Sequence, residues 1–201
     1  MEQTYAIELK NITKRFGKIV ANDGINLKVK RGEILSLLGE NGSGKTTLMN
    51  MISGIYFPDE GHILVDGKAV SIRSPKDSFD LGIGMIHQHF KLIDVMTAAE
   101  NIILGLKGNA VLDMKKVHKD IQELVDRYGF DLDPAQKVYT MSVSQKQTVE
   151  IVKMLYRGAN ILILDEPTAV LTPQEVDKLF EVLRNMRDDG RAIIIITHKL
   201  N

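Results

Sequence analysis

Hydrophobic and polar residues follow two different patterns along this 201-residue chain. Between residues 5 and 29, aliphatic side chains recur at every second position, which predicts half-buried antiparallel strands. Farther along, short runs are mostly aliphatic without this alternation, which is typical of buried strands in a parallel sheet. These runs lie at 34–38, 83–86, 161–164 and 192–196. An Asp66-Gly67 pair between two short strands predicts a hairpin turn.

The segment from Lys91 to about Tyr156 changes to helical periodicity. Two Ser/Thr-x-x-Glu/Gln capping boxes, at 97–100 and 142–145, predict helix starts. Between them, apolar side chains spaced by three and four residues predict an amphipathic helix that ends at Gly129. We therefore expect a helical subdomain at about 91–156.

Outside this segment, helices and strands alternate. The P-loop-flanking helix is predicted to end at Gly54, a short helix occupies 75–81, and a capping box at 172–175 starts a helix before Gly190. A single domain is expected, with an α/β core at about 1–87 and 157–201 into which the helical subdomain is inserted.

Composition narrows the classes of function. Lys plus Arg and Asp plus Glu both number 26, and this neutral balance disfavours a nucleic-acid partner. The chain has no cysteine, so the core must hold the fold without disulfides. The N-terminus lacks a signal peptide pattern, and the aliphatic runs are far shorter than a membrane span. We expect a soluble chain whose membrane role, if any, depends on a partner.

The segment 39–46 fits the phosphate-binding pattern G-x-x-x-x-G-K-[ST] between an apolar strand and a helix. Its residues are Gly39, Glu40, Asn41, Gly42, Ser43, Gly44, Lys45 and Thr46. Glycines let backbone N–H groups wrap a polyphosphate at a helix N-terminus, where the dipole favours anions. Lys45 supplies a cation for the β- and γ-phosphates, and the Thr46 hydroxyl is offered to Mg²⁺. A glycine-rich turn that only connects strand to helix is the alternative, and the full match with its flanks favours nucleoside triphosphate binding.

The fold class expected from these features is α/β. It consists of a P-loop NTPase core, in which a mostly parallel sheet is flanked by helices, together with an antiparallel β subdomain and the inserted helical subdomain.

Candidate chemical groups follow three of the buried strands, where ligands bind in open α/β sheets. Asp165 and Glu166 end one strand: Asp165 can hold Mg²⁺, and Glu166 can act as a general base toward water, although such a pair could also cap the next helix. Gln88 and His198 end two others, and His198 is a candidate sensor of the γ-phosphate. His87 and His89 flank Gln88, but two ligands are too few for a structural metal site, and solvated histidines are favoured.

Phe16 lies beside Gly17 between the first strands. It could pack against neighbouring side chains or provide a platform on which a base stacks. Position alone favours packing.

Taken in order, these motifs resemble those of the ATP-binding subunit of ABC transporters, and the resemblance covers essentially the whole chain. The matching segments are Phe16 (A-loop), 39–46 with Thr47 (Walker A), Gln88 (Q-loop), Ser142-Val143-Ser144-Gln145 (signature), Asp165-Glu166 (Walker B) and His198 (switch histidine). The segments 86–90, 149–151 and 165–173 look like those of importers for simple sugars and nucleosides.

This resemblance implies ATP and Mg²⁺ as cofactors. Thr46, Gln88 and Asp165 would hold the metal, and the catalytic groups would be those of Glu166, His198, Gln88 and Lys45. The remaining nucleotide-binding residues would be Phe16, residues 39–47, and the signature residues Ser142, Ser144 and Gln145.

The resemblance also implies partners. Each ATP would lie between one domain's P-loop and the signature helix of a second ATP-binding domain. Transmembrane permease subunits would dock near the Gln88 segment and the helical insert, and a solute-binding protein would act indirectly. The chain would then lie at the cytoplasmic face of the cell membrane, held there through the permease.

The sequence departs from the family pattern at five positions, of which Met141 and Val143 in the signature are mild changes. Ser144 replaces the second glycine of the signature, Thr148 stands where an arginine is common, and Thr172 occupies the aspartate position of the D-loop. The chain also ends three residues after His198, so we expect a fragment, or a truncated first half of a two-domain protein.

These departures keep two alternatives open. One is a regulatory or hydrolytically weak nucleotide-binding module, which the altered signature suggests. The other is a soluble ABC-type ATPase that acts on ribosomes or DNA, which the neutral charge disfavours.

Overall fold

The computed structural model describes residues 4–106 and 113–198. The first half of the chain contributes an antiparallel sheet with the order β2-β1-β4-β5. Its strands are β1 (Tyr5–Phe16), β2 (Ile19–Lys30), β4 (Glu60–Val65) and β5 (Lys68–Val70). The alternating sequence predicts short strands, whereas β1 and β2 each run for 12 residues with register shifts between them. Such bulges interrupt the alternation without ending the strand.

The four mostly aliphatic runs form a second sheet, in which every pair of neighbouring strands is parallel. Its order is β3-β8-β7-β6. The strands are β3 (Ile34–Leu38), β6 (Ile83–Ile86), β7 (Ile161–Asp165) and β8 (Ala192–Thr197). The predicted fold class, an α/β core with an added antiparallel part, is confirmed.

The predicted helix starts are also found in the structure. The helices are α1 (Lys45–Ile52), α2 (Pro75–Asp80), α3 (Ala98–Ile103), α4 (Met114–Tyr128), α5 (Val143–Tyr156) and α6 (Pro173–Asp188). Complete capping boxes begin α3, α5 and α6, at Thr97, Ser142 and Thr172. Gly129 ends α4 in the left-handed conformation, as its position after the periodic segment predicts.

The Asp66-Gly67 hairpin forms as well. Val65 pairs with Lys68, and both central residues have positive φ, 48° for Asp66 and 75° for Gly67. This is the conformation that a two-residue turn needs in order to match the twist of the flanking strands.

The hydrophobic core consists of two clusters, one on each face of the parallel sheet. Leu162 and Leu164 of β7 face α4, α5 and α6, whereas Ile161 and Ile163 face α1 and the antiparallel sheet. Successive side chains of a strand point to opposite faces, so an all-aliphatic strand supplies both clusters. Helices α3 to α5 share their cluster with β6, β7 and β8, and the boundary of a helical subdomain at 91–156 therefore stays a prediction.

Two further expectations concern the ends of the chain and the membrane. Residues 199–201, from which the early end is predicted, lie outside the described residues. Across 4–106 and 113–198, no helix is both long enough and apolar enough to cross a membrane.

Candidate functional site

The carboxyl ends of all four parallel strands meet at one edge of the sheet. Leu38 of β3 pairs with Thr197 of β8, and Asp165 of β7 pairs with Ile196. Ile86 of β6 pairs with Leu164 of β7. The residues that follow these strands are therefore neighbours in space although they are far apart in the sequence.

A cavity of about 670 Å³ opens at this edge. It is lined by the P-loop, the end of β7, the residue two places beyond β6 and the beginning of β2. The lining residues are Ile19, Val20, Ala21, Asn41, Gly42, Ser43, Gly44, Lys45, Thr46, Thr47, Gln88, Asp165, Glu166 and Ile196. Residues 41–47 of the P-loop segment and Gln88, Asp165 and Glu166 thus face one space, whereas Gly39, Glu40 and His198 are not among the lining residues.

The Lys45 side chain turns back across the P-loop. Its ammonium donates to the carbonyl oxygens of Gly39 at 2.5 Å and Glu40 at 2.8 Å, and to Ser43 Oγ at 3.2 Å. The loop therefore surrounds one cation at the N-terminal end of α1. A phosphate group that enters the cavity would meet this charge directly.

Helix α1 begins without a side-chain cap in the described part of the chain. Its N-cap residue is Gly44, with φ of 86° in the left-handed region. The first N–H groups of a helix have no partner within the helix itself, and here no capping side chain takes them up. Thr46 and Thr47, in this first turn, line the cavity. This helix end is thus arranged as a backbone anion site.

The two acids at the end of β7 differ in environment. Burial raises the pKa of Asp165, and the neighbouring Glu166 charge raises it further. Glu166 itself has φ of 49°, which is uncommon for a residue with a side chain, and its N–H donates to the carbonyl of Ile196 at 2.9 Å. The backbone is therefore held so that the Glu166 side chain enters the cavity.

His198 contacts the Glu166 carboxylate. Its Nδ1 lies 2.8 Å from Glu166 Oε1. This contact occupies Nδ1 and leaves Nε2 as the second ring nitrogen that can bond elsewhere. The predicted base and the predicted sensor are thus joined directly.

Gln88 lines the cavity, but its two histidine neighbours do not. Burial lowers the pKa of His87, and the Lys91 charge lowers it further, whereas His89 is exposed. Across the described ranges, no group of three or more His, Cys, Asp or Glu side chains could hold a metal ion by itself. Any metal in this cavity would need hydroxyl, amide or phosphate oxygens as additional ligands.

Phe16 lies at the end of β1, outside the set of residues that line the cavity. Its ring meets Tyr56 edge to face, with 5.1 Å between centroids, and Lys14 Nζ lies 5.5 Å from the ring centre. The side chain is still 41% exposed. It therefore packs and also presents an open surface, so its role in stacking a base stays a prediction.

The signature residues Ser142, Ser144 and Gln145 line a different cavity, of about 430 Å³, between α5 and α6. Ser142 Oγ accepts from the N–H of Gln145 at 3.2 Å, and Gln145 Oε1 accepts from the N–H of Ser142 at 3.0 Å. These three residues do not contribute to the cavity that holds the P-loop of their own chain.

Sequence reasoning missed the carboxylate that lies beside Ser144. Glu175, in the first turn of α6, accepts from Thr172 N at 2.9 Å and Thr172 Oγ1 at 3.0 Å, and the Ser144 hydroxyl lies near its carboxylate. These bonds, led by that from the Thr172 N–H, lower the pKa of Glu175. The capping box at 172–175 marked Glu175 for its own helix, but nothing local indicated its contact with α5.

The sequence was compared with known families and proteins. It matches the profile of the "ABC transporter" family over residues 22–169. The "Nucleoside import ATP-binding protein NupA" of Lactococcus lactis subsp. cremoris is 52% identical over 203 residues, covering 100% of this chain and 40% of that protein. The "Guanosine import ATP-binding protein NupO" of Bacillus subtilis is 54% identical over 192 residues, covering 94% and 38%. The chain thus spans about two fifths of the length of these relatives.

Solved structures share the fold. The dimeric structure of MJ0796, a bacterial ABC transporter cassette, superposes with a TM-score of 0.79 at 29% identity. The match covers 96% of this chain and 88% of that one.

Proposed function

The chain belongs to the ABC transporter family, and from this premise we propose that it is the ATP-binding part of an importer for a nucleoside or a simple sugar. The observation that carries the proposal is the cavity at the edge of the parallel sheet, in which the P-loop faces Gln88, Asp165 and Glu166. Such an arrangement can hold a triphosphate, a metal ion and an attacking water at once.

The phosphates would bind to the backbone of residues 39–47 and to Lys45. Thr46, Gln88 and Asp165 offer hydroxyl, amide and carboxylate oxygens on the wall of the same cavity, and these are the donors that Mg²⁺ prefers. Bound there with the nucleotide, Mg²⁺ would neutralise charge on the phosphates. Phe16, with its open ring surface, would stack on the base.

Hydrolysis would rely on the groups around Glu166. Its carboxylate is the general base for water, and His198, which contacts it at 2.8 Å, holds its orientation and senses the γ-phosphate. Gln88, which lines the same cavity, would help to position the water and the metal. Lys45 would stabilise the charge that develops on the phosphates.

The second nucleotide contact would come from another ATP-binding domain. Because Ser142, Ser144 and Gln145 lie on a different cavity from the P-loop, they cannot serve their own chain's nucleotide in this conformation. A neighbour's P-loop would meet them, as in a closed pair of domains. The dimeric arrangement of the similar MJ0796 cassette supports this partner.

The contact between Ser144 and Glu175 favours a variant of this function. An ionised carboxylate beside the signature helix repels a phosphate, so the site that α5 serves would turn over slowly. In this form of the proposal the chain is partly regulatory, and its own P-loop site hydrolyses most of the ATP.

Transport would require permease subunits that hold the chain at the cytoplasmic face of the membrane. Their docking surface would lie near the Gln88 segment and helices α3 to α5, and a solute-binding protein would act through them. The names of the relatives NupA and NupO support a nucleoside as the solute. The neutral charge of the chain gives no support to a nucleic-acid partner.

The test is reconstitution of the full-length protein with its permease in sealed vesicles. We expect ATP-dependent uptake of a labelled nucleoside or pentose, and loss of uptake in a variant that carries Glu166→Gln. Co-purification with ribosomes or DNA, and no uptake, would refute the proposal.

A further inference from the structure

Asn22, on β2, is buried next to the P-loop. The residue is only 6% exposed, and it pairs with Lys14 of the neighbouring strand β1. Its Oδ1 is the one buried side-chain oxygen or nitrogen without a hydrogen-bond partner within residues 4–106 and 113–198. A buried amide oxygen of this kind disfavours folding, because it loses water and gains no donor.

The other half of the same amide reaches the P-loop. Asn22 Nδ2 donates to the carbonyl oxygen of Gly44 at 3.2 Å. The same carbonyl also accepts from the N–H of Leu48 at 2.9 Å, which is the first hydrogen bond of α1. Asn22 is thus bonded to the residue at which the loop turns into the helix.

Gly44 has no room for a side chain at this point. A Cβ atom added to it would lie 2.4 Å from the carbonyl oxygen of Ala21 and 2.8 Å from Asn22 Nδ2. Its φ of 86° also excludes most side chains. Strand β2 therefore presses directly against the left-handed residue that sets the direction of the first N–H groups of α1.

We propose that Asn22 is a positioning residue for nucleotide binding, since it fixes the Gly44 carbonyl and thereby the orientation of the uncapped first turn of α1. This inference rests on the proposed function. An ordinary core residue would stabilise the fold, and here an apolar side chain of the same size would avoid the unpaired Oδ1. A polar residue at this position is explained by its contact with the loop and not by packing.

The test compares stability with nucleotide affinity in the full-length protein. Asn22→Leu removes the donor and the unpaired oxygen together, and the Gly44 carbonyl keeps its bond from Leu48. We expect the melting temperature to stay the same or rise, while the Kd for ATP, measured by calorimetry with Mg²⁺ present, increases about five- to tenfold for the lost hydrogen bond. Asn26→Leu, at an exposed position of the same strand, is the matched control and should leave the Kd unchanged.

Two results would overturn the inference. An unchanged Kd in Asn22→Leu means that Asn22 does not position the loop, and a parallel fall in stability and affinity means that its role is structural only. If Asn22→Leu fails to fold, Asn22→Val, which suits a buried strand, is measured in the same way. Failure of the parent protein to bind ATP would refute the proposed function itself, and the two failures are therefore distinguishable.

Discussion

The N-termini of α1 and α5 are both predicted to bind phosphate, yet they are built in opposite ways. Helix α1 begins at Gly44, with no capping side chain in the described part of the chain, and Lys45 lies within its first turn. Helix α5 begins at Ser142 with a complete capping box. One helix end is left open, and the other is closed by its own side chains.

This difference has a physical consequence for each site. A capping box stabilises a helix locally, but at α5 it takes up the N–H of Gln145, so only the first two helical N–H groups are outside it. The Ser144 hydroxyl and the Glu175 carboxylate lie beside them. At α1 the donors of the first turn stay available, and β2 contacts the loop at Gly44. Support through a tertiary contact thus leaves the first N–H groups of α1 free to bind an anion.

The largest effect is expected from a variant that blocks hydrolysis at this chain's own P-loop site and leaves the site served by α5 intact. Glu166→Gln in the assembled transporter should lower hydrolysis at this chain's own P-loop site by about 10²- to 10⁴-fold, because a general base is lost, while ATP still binds. Hydrolysis and ATP binding are measured in parallel. Glu123→Gln, an exposed change on α4, serves as control. An unchanged rate would show that Glu166 is not the base.

The next effect tests whether α1 depends on its cation. Lys45→Ala should weaken Mg-ATP binding about 100-fold, since the phosphates lose a charged donor within the loop. Calorimetry checks this, with Lys119→Ala on the exposed face of α4 as control. Equal affinity in variant and parent would mean that the backbone alone binds the nucleotide.

A smaller effect is expected at the N-terminus of α5, which its own capping box closes. Ser142→Ala should destabilise the first turn of α5 by about 1 kcal/mol, as expected for the loss of a capping side chain. Hydrogen exchange at the Gln145 amide should then become about fivefold faster. Thr172→Ala, which removes the equivalent cap of α6, should leave the Gln145 exchange unchanged. Unaltered exchange in Ser142→Ala would show that the capping box does not hold the helix end.

The smallest effect concerns the departure at Ser144. The Glu166→Gln background blocks hydrolysis at this chain's own P-loop site and leaves the site served by α5. In that background, Ser144→Gly should raise hydrolysis about two- to fivefold. The reason is that the Ser144 side chain leans toward the incoming phosphate and holds Glu175 near it. Glu175→Gln should act in the same direction, since glutamine keeps the capping box but removes the charge. A rate that stays the same or falls in both variants would mean that the two residues are neutral or helpful.

Much of the fold could be predicted because its signals are local. The three capping boxes, the Asp66-Gly67 turn and the P-loop each depend on residues within a few positions of one another, and the starts of α1, α3, α5 and α6 and the β4-β5 hairpin follow from them. The four aliphatic runs were correctly assigned to a parallel sheet, since strands buried on both faces need apolar side chains throughout.

The candidate site could be predicted only in part. Gln88, Asp165 and Glu166 were selected because they follow strands, and the structure does bring them to one cavity. Asn22 was missed as a site residue because it belongs to no motif, and Glu175 was missed because its capping box concerns only its own helix. Each acts on a residue of another element, Gly44 for Asn22 and Ser144 for Glu175.

The sequence by itself determined where helices and strands begin, which loop can wrap a phosphate and which side chains stand at strand ends, because these depend on hydrogen bonds and sterics within three or four residues. Only the tertiary structure decided that strand order β3-β8-β7-β6 gathers those strand ends into one cavity, and that β2 rests on Gly44 while α6 rests on Ser144. Such contacts form when whole elements bury their apolar faces against each other, and the resulting register is a property of the packed core and not of any short segment.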